Sequence, residues 1–339
     1  MKKIVDFLEE QDVVVVSSNE IEIITCHSIE DKEIEIKGFF TSLEENKLPQ
    51  YYVCNRDKYG LLAHIGWNNK ENIGLCCSGS DDVLSLNYYA PGKVYYEGLL
   101  KALELLIPTI NNSHENQKQI MDEYLGHLDW IENKEHPKII FMGSYLSGIH
   151  ELDAYVPSGN LKEIIITHDE HGVNNNYCLL QKLSKQKKHA ASYLIELDEL
   201  LLPPIPKESV QEWWIKLLNK QSDCIIEQLT QATNYKRSNH FYFICYIKYN
   251  EELLTFCVSC KNSRKKDYAP ITEAQISNWK INIVKITQHT KEFLLPRSGG
   301  TLEFQNKSVL LVGCGSVGSF VARQLVQTGI GILTLSDTD

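Results

Sequence analysis

A glycine loop between two apolar stretches, near the end of the sequence, constrains the fold more than any other feature. Ser308–Val312 is an apolar run of strand length, and Ile332–Leu335 is a second one. Between them, Gly313, Gly315 and Gly318 form a G-x-G-x-x-G pattern that leads into residues with helical spacing. The three glycines suit a tight turn, a close approach of the backbone to a phosphate, and packing of the helix on the sheet. This order therefore predicts a β-α-β unit that binds a nucleotide.

Two acidic residues follow the second strand of this unit. Asp337 and Asp339 lie roughly twenty residues beyond the glycines, the distance at which an acid can meet a ribose hydroxyl. The amino terminus of the intervening helix offers free N–H groups and a positive dipole end to a phosphate. The strand before the glycines, the helix after them and the acids all fit a nucleotide-binding unit. Together they support this prediction more strongly than the glycines alone.

The bulk properties of the chain exclude several classes of protein. With 339 residues, the chain is long enough for two or three domains. Its formal net charge of −10 argues against a general binder of nucleic acids or of membrane surfaces. The apolar runs are too short for a membrane span of ~18 residues, and the start is not a signal peptide. Ten cysteines without such a signal indicate reduced thiols and a cytoplasmic location.

The first third of the sequence reads as a small α+β domain, residues 1–132. An opening helix, Ile4–Gln11, precedes a series of short strands, and two amphipathic helices follow at Val94–Ile107, ended by Pro108, and at Gln117–Ile131. The predicted strands are Val13–Val16, Ile21–Thr25, Glu33–Phe40, Tyr51–Cys54, Gly60–Ile65 and Ile73–Cys77.

Residues 133–290 form a second α+β region. We interpret it as a spacer domain, because its sequence shows no recognisable set of catalytic or metal-binding residues. A long helix is expected over Glu208–Ala232, with Trp213 and Trp214 facing the core. Cys257 and Cys260 form a C-x-x-C without a second ligand pair, so no metal site is predicted. The predicted strands are Lys138–Met142, Glu163–His168, Ser192–Leu197, Phe241–Ile247, Leu253–Cys260 and Asn282–Ile286.

The end of the sequence carries motifs that are more specific than the glycines alone. It reads VLLVGCGSVG from Val309, GIG from Gly329 and DTD from Asp337. These motifs resemble the adenylation fold of ThiF/MoeB-type ubiquitin-activating enzymes. The resemblance implies that residues 291–339 are the start of a Rossmann-like domain. In that family, the domain uses ATP and Mg to adenylate the carboxy-terminal glycine of a ubiquitin-like protein.

The same resemblance implies roles for residues of this chain. In the family, an arginine upstream of the glycine loop often reaches the ATP of the partner subunit in a homodimer, and Arg297 is the candidate here. Because the sequence ends at Asp339, we expect an incomplete adenylation domain that binds ATP weakly or not at all. Gly313, Gly315 and Gly318 would line the phosphates, Asp337 would meet the ribose, and Asp339 would lie near the nucleotide and the metal.

Residues 1–132 resemble a ubiquitin-conjugating domain. A turn with His64, a polar loop, the strand Ile73–Cys77 and a helix after Pro91 follow in the order of that family, in which a Gly-x-(Ile/Leu)-Cys strand holds the acceptor thiol. The usual His-Pro-Asn is here His64-Ile65-Gly66, so the asparagine that steadies the oxyanion is missing at its place. The resemblance implies that His64 organises the site. The amide could come from Asn68, Asn69 or Asn72.

Two adjacent cysteines are candidates for the acceptor thiol. Because successive side chains of a strand face opposite sides, buried Ile73 and Leu75 would turn Cys76 outward and Cys77 inward. The family's cysteine just after an aliphatic residue also selects Cys76, whereas a count of three residues from Gly74 selects Cys77. We expect Cys76 to be the accessible thiol. The alternative is that Cys76 and Cys77 are both ordinary buried thiols without a catalytic role.

These patterns predict a bacterial fusion of a conjugating-like domain, a spacer and an adenylation domain, as in CBASS-type antiviral operons. The expected reaction transfers the carboxy terminus of a ubiquitin-like protein, or of a cGAS/DncV-like nucleotidyltransferase, through a thioester to an amine of a target protein. Neither nucleic acid nor membrane is an expected partner. Two alternatives are a docking module without thioester chemistry and a Rossmann-type NAD oxidoreductase, in which a single acid would be expected in place of D-x-D.

Overall fold

The chain is a mixed α+β protein, seen here in a computed structural model. Its contacts divide it into two compact units, Met1–Ile131 with Leu201–Ser209, and Glu132–Leu200 with Val210–Asp339. Across the parts of the chain that the structure describes, none of the helices is long and apolar enough to cross a membrane. The described residues are 1–29, 32–40, 49–66, 72–76, 89–129, 131, 137–155, 163–168, 190–205, 208–250 and 252–338.

The first unit is built on an antiparallel meander. Each described strand pairs with the next along the chain. In the third strand, Ile34 and Ile36 are buried and alternate with the more exposed Glu35 and Lys37, as their sequence predicts. Helix α1 packs against α2, and both contribute to the same core. The elements are α1 (Lys2–Glu10), β1 (Val14–Ser18), β2 (Glu22–Ile29), β3 (Lys32–Phe39), β4 (Gln50–Val53), a 3₁₀ turn (Arg56–Tyr59), β5 (Gly74–Leu75), α2 (Pro91–Asn111), α3 (Ser113–Asp122) and α4 (Tyr124–Asp129).

The structure corrects three sequence predictions in this unit. Gly60–Ile65 is a turn and not a strand, because Gly60 and His64 have φ values of +65° and +60°, which an extended strand does not allow. Helix α2 continues past Pro108, and Thr109 Oγ1 donates a hydrogen bond to the carbonyl oxygen of Leu106 at 2.9 Å in this last turn. The predicted helix Gln117–Ile131 is divided at Glu123 into α3 and α4.

The second unit contains a mixed sheet. Its strands are β6 (Lys138–Phe141), β7 (Ile149–Tyr155), β8 (Glu163–Thr167), β9 (Ala190–Glu196), β10 (His240–Tyr249), β11 (Glu252–Lys261), β12 (Lys280–Val284) and β13 (Ile286–Gln288). Their described order in the sheet is β12-β11-β10-β9-β7-β8-β6-β13. Strands β9 and β10 are parallel, as are β8, β6 and β13, whereas β7 and β11 run antiparallel to their neighbours. The predictions missed β7, whose polar residues weaken the strand pattern.

Two helices replace the long helix that was expected over Glu208–Ala232. They are α5 (Val210–Asn219) and α6 (Asp223–Thr233). At the break, Gln221 Nε2 donates to the carbonyl oxygen of Leu217 at 2.7 Å, which gives a partner to a carbonyl in the last turn of α5, and to the carbonyl oxygen of Glu199 at 3.0 Å. The core positions predicted for Trp213 and Trp214 are confirmed, since both are at most 1% exposed.

The last part of the second unit is a β-α-β unit. Strand β14 (Ser308–Val312) pairs in parallel with β15 (Ile332–Ser336), and α9 (Ser316–Thr328) connects them. Two short helices, α7 (Glu273–Ile276) and α8 (Lys291–Arg297), and a 3₁₀ turn (Leu302–Phe304) precede it. The predicted strand, glycine turn, helix and strand are therefore confirmed.

Candidate functional site

The glycine loop between β14 and α9 packs closely against the first turn of the helix. Gly313 has a φ of +88°, a conformation that side chains rarely adopt, and its N–H donates to the carbonyl oxygen of Ser336 at 2.8 Å. A Cβ atom at Gly318 would collide with the carbonyl oxygen of Gly313. The first turn of α9 thus lies directly against the loop.

The mouth of this loop is open at Gly315, beside a backbone N–H that already donates to a carboxylate. Gly315 is the N-cap of α9, and a Cβ atom there would meet no heavy atom within 4 Å. The carboxylate of Asp337 accepts a hydrogen bond from the Cys314 N–H, and its other oxygen accepts from the Thr338 N–H at 2.7 Å. An oxygen anion therefore already lies at a loop amide next to the amino terminus of α9, and a helix amino terminus favours phosphate.

Two further residues were expected to act on ATP, Asp339 at this site and Arg297 at the ATP of a partner subunit. The Arg297 guanidinium lies 3.7 Å from the ring centroid of Phe293, and Nη1 donates to the carbonyl oxygen of Phe293 at 3.2 Å. Arg297 is thus bound to its own helix, α8, and its reach toward a nucleotide stays a prediction. Asp339 lies outside the described residues.

The thiol strand is the second candidate site, and here the predicted orientation is wrong. Cys76 is 4% exposed and belongs to the hydrophobic core of the first unit, and Leu75 is more exposed than Cys76. Strand β5 is only two residues long, and Cys76 continues it by donating its N–H to the carbonyl oxygen of Tyr51 at 2.8 Å. This pairing turns the side chain of Cys76 toward the core. Cys77 lies outside the described residues.

A buried arginine lies on the same side of this strand. Arg56 is 0% exposed, and a Cβ atom at Gly74 would stand 2.7 Å from Arg56 Cδ. Because side chains two residues apart in a strand share a face, the Arg56 side chain packs on the face that also carries Cys76. Burial lowers the pKa of Arg56 to about 10, against the opposing effects of Asp57 and Cys76. Nothing in the sequence distinguishes Arg56 from a surface arginine, and it was missed.

The turn that carries His64 is attached to helix α3. His64 Nδ1 lies 2.6 Å from Glu123 Oε1, and its backbone N–H donates to Glu123 Oε2 at 3.2 Å. The other ring nitrogen lies 3.2 Å from Gln119 Oε1, and Gln119 Nε2 donates to Glu115 Oε1 at 2.8 Å. His64 therefore holds its own turn through acceptors that the sequence pattern did not identify, and its role in organising a site stays a prediction.

Three asparagines were proposed to steady the oxyanion, and Asn72 is the one that the structure describes. Asn72 Oδ1 accepts from the Asp57 N–H at 3.0 Å, and the Asn72 carbonyl oxygen accepts from the Arg56 N–H at 3.0 Å. Asn72 thus holds the 3₁₀ turn after β4. Asn68 and Asn69 lie outside the described residues. In the described parts of the chain, His, Cys, Asp and Glu side chains form no group of three or more that could hold a metal ion.

Comparisons with known proteins relate part of the chain to a named enzyme. No protein-family model matches the chain. Adenylyltransferase and sulfurtransferase MOCS3 of the zebrafish, Danio rerio, is 41% identical to it over 64 residues. These residues make up 18% of this chain and 14% of MOCS3, so the chain matches a small part of the length of that protein.

Proposed function

We propose that the chain takes part in the activation and conjugation of a ubiquitin-like protein. The observation that carries this proposal is the geometry of the loop between β14 and α9, in which Gly318 packs against the carbonyl oxygen of Gly313 while Gly315 faces open space. The partial similarity to a protein named an adenylyltransferase supports it. In this proposal, residues 291–339 begin a Rossmann-like ThiF/MoeB-type adenylation domain, and residues 1–132 are a conjugating-like domain.

The residues of the loop fit the phosphates of ATP. The cradle is open at Gly315, and one amide of the loop, the Cys314 N–H, already donates to a carboxylate oxygen of Asp337. Gly313, Gly315 and Gly318 would hold the phosphates, and Asp337 would turn toward the ribose; Asp339 is proposed for the neighbourhood of Mg. When bound, ATP supplies the activated adenylate of a carboxyl group. The residues of this chain would orient the phosphates and keep the loop rigid.

The conjugating-like domain would carry the activated carboxyl group as a thioester. The sulfur of the acceptor cysteine attacks the carbonyl carbon of an incoming thioester, the bond to the donor sulfur breaks, and the donor leaves as a thiolate. An amine of the target then attacks the same carbon, the bond to the cysteine sulfur breaks, and the amine proton passes to solvent. We propose Cys76 as the carrier, on its spacing from Gly74 and Leu75, with Cys77 as the second candidate.

A transfer assay without ATP tests the thioester step by itself. Ubiquitin activated at its carboxy terminus as a thioester of a small thiol is the probe. Incubation with the chain should give a covalent adduct that a reducing thiol removes, and the adduct should be lost in Cys76→Ala and kept in Cys77→Ala. The reverse pattern assigns the carrier role to Cys77. The absence of an adduct with the unmodified chain would contradict transfer of ubiquitin by this chain.

The burial of Cys76 favours a second candidate function, a docking module without thioester chemistry. A side chain 4% exposed is not reached by the thioester of another protein unless part of the structure opens. In that case the variant that lacks both Cys76 and Cys77 should retain full binding of its partner and full function.

For the transfer function, we propose that the conjugated protein is a ubiquitin-like protein, or a cGAS/DncV-like nucleotidyltransferase in antiviral defence.

A further inference from the structure

We propose that the turn Ala63–Gly66 is the cover of Cys76, and that Glu123 and Asn116 of the adjoining helical segment decide how often this cover opens. The proposal rests on the transfer function proposed above, because it says how a thiol in the core becomes accessible to a thioester. Glu123 and Asn116 are positioning residues in this proposal. They act on Cys76 through the turn and touch neither the sulfur nor a substrate.

The turn lies against the face of the strand that carries the thiol. Ile65 and Cys76 form an isolated antiparallel bridge, and the Gly66 N–H donates to the carbonyl oxygen of Leu75 at 2.8 Å. A Cβ atom at Gly74, on the same face as Cys76, would collide with Ile65 and would stand 2.8 Å from the Gly66 carbonyl oxygen. Removing the turn would therefore uncover the face on which Cys76 is buried.

The turn is held in a conformation that its own residues do not favour. His64 has a φ of +60°, and a residue other than glycine keeps such a value when its surroundings impose it. The imposing contacts come from Glu123, which accepts from the backbone of His64 and contacts its ring, and from Gln119 at the other ring nitrogen. Loss of these contacts would favour release of the turn.

Asn116 attaches the start of the same turn. Its Oδ1 accepts from the Ala63 N–H at 2.9 Å, and its Nδ2 donates to the carbonyl oxygen of Leu61 at 2.8 Å. Glu123 and Asn116 together form a clamp on the turn. This clamp is more exposed than the thiol, since the Glu123 side chain is 41% exposed whereas Cys76 is 4% exposed. A partner that binds the exposed face of α3 could thus compete for the clamp and open the cover without entering the core.

The test is the rate at which iodoacetamide alkylates Cys76, measured by mass spectrometry in the full chain with Cys77 replaced by serine. In Glu123→Ala, the rate should rise about tenfold, because a lost charge-assisted hydrogen bond shifts a local opening equilibrium by about that factor. Glu123→Gln keeps one acceptor oxygen and should give a smaller rise. Lys118→Ala is the matched control on the exposed face of α3 and should leave the rate unchanged.

Cys54 is the internal reference, because it is 8% exposed in the same unit. Its alkylation should stay constant in every variant. An unchanged Cys76 rate in Glu123→Ala would overturn the proposal, and so would an equal rise at Cys54, which indicates general unfolding. If Glu123→Ala does not fold, Asn116→Ala gives the same test. The assay needs neither ATP nor a ubiquitin-like protein, so its result stands apart from a failure of the transfer function.

Discussion

Gly318 packs so closely on Gly313 that a single methyl group at Gly318 would collide with the Gly313 carbonyl oxygen. The contact joins the first turn of α9 to the loop after β14, and it fixes the positions of the loop amides. Both residues come from one sequence motif, and the contact is local, because the first turn of the helix begins directly after the loop. The loop is therefore the place where a small substitution should have a large effect.

Gly318→Ala should destabilise the β-α-β unit by about 1–3 kcal/mol, the usual cost of overpacking against a backbone that cannot yield. Hydrogen exchange of the α9 amides measures this local loss. Gly315→Ala is the comparison, because a methyl group there meets no heavy atom within 4 Å and the φ of Gly315 is −60°. Equal acceleration of exchange in both variants would contradict the packing described for Gly318.

Gly74→Ala should destabilise the first unit by about 1–3 kcal/mol, because its methyl group would collide with Ile65 and press on Arg56. Urea denaturation followed by circular dichroism measures the change. Gly126→Ala in α4 is the matched control, since a methyl group there meets no heavy atom within 4 Å. Alanine favours a helix over glycine, so this control should be neutral or stabilising by up to about 1 kcal/mol. If Gly126→Ala loses stability while Gly74→Ala does not, the packing described for Gly74 would be contradicted.

The stability of the first unit should fall as the pH drops below about 6.5. Burial lowers the pKa of His127 below its ordinary value of 6.5, and Arg56 and His64 act in the same direction against Glu123. The unfolded chain therefore binds the proton more readily than the folded one. The stabilising difference is fully present above the unfolded pKa and is lost as the pH falls through the folded pKa.

His127→Phe removes this share of the pH dependence, and the free energy of unfolding from urea titrations at several pH values measures it. Burial also lowers the pKa of His27, so the variant should keep part of the slope. The informative quantity is the difference in slope between the two proteins. Identical slopes would show that His127 titrates alike in the folded and unfolded chain.

Tyr145→Phe should destabilise the second unit by about 1–3 kcal/mol, because it leaves Gln288 Oε1 without its donor and removes the hydroxyl that Thr255 contacts. The Tyr145 hydroxyl donates to Gln288 Oε1 at 2.6 Å and lies 2.8 Å from Thr255 Oγ1, and both partners are buried. Tyr235→Phe is the control, since Tyr235 is 96% exposed and should change stability by less than about 0.5 kcal/mol. Thermal unfolding of both variants measures the effect, and equal melting temperatures would contradict it.

The sequence by itself determined the elements whose patterns are local. The β-α-β unit followed from the spacing of Gly313, Gly315 and Gly318, and the buried stripe of β3 followed from alternation. These predictions succeed because turn geometry and strand period depend on neighbouring residues. The conjugating and adenylation roles, and the three-part domain division, stay predictions that rest on resemblance.

Tertiary structure alone decided which way Cys76 faces and what holds His64. The alternation argument failed at Cys76 because β5 is too short to fix its own register, and pairing with Tyr51 and Ile65 turned the thiol inward. Glu123 reaches His64 from 59 positions away in the sequence. Such a contact leaves no periodic trace, because a charged residue on a helix has the same sequence pattern whether it meets solvent or a distant turn.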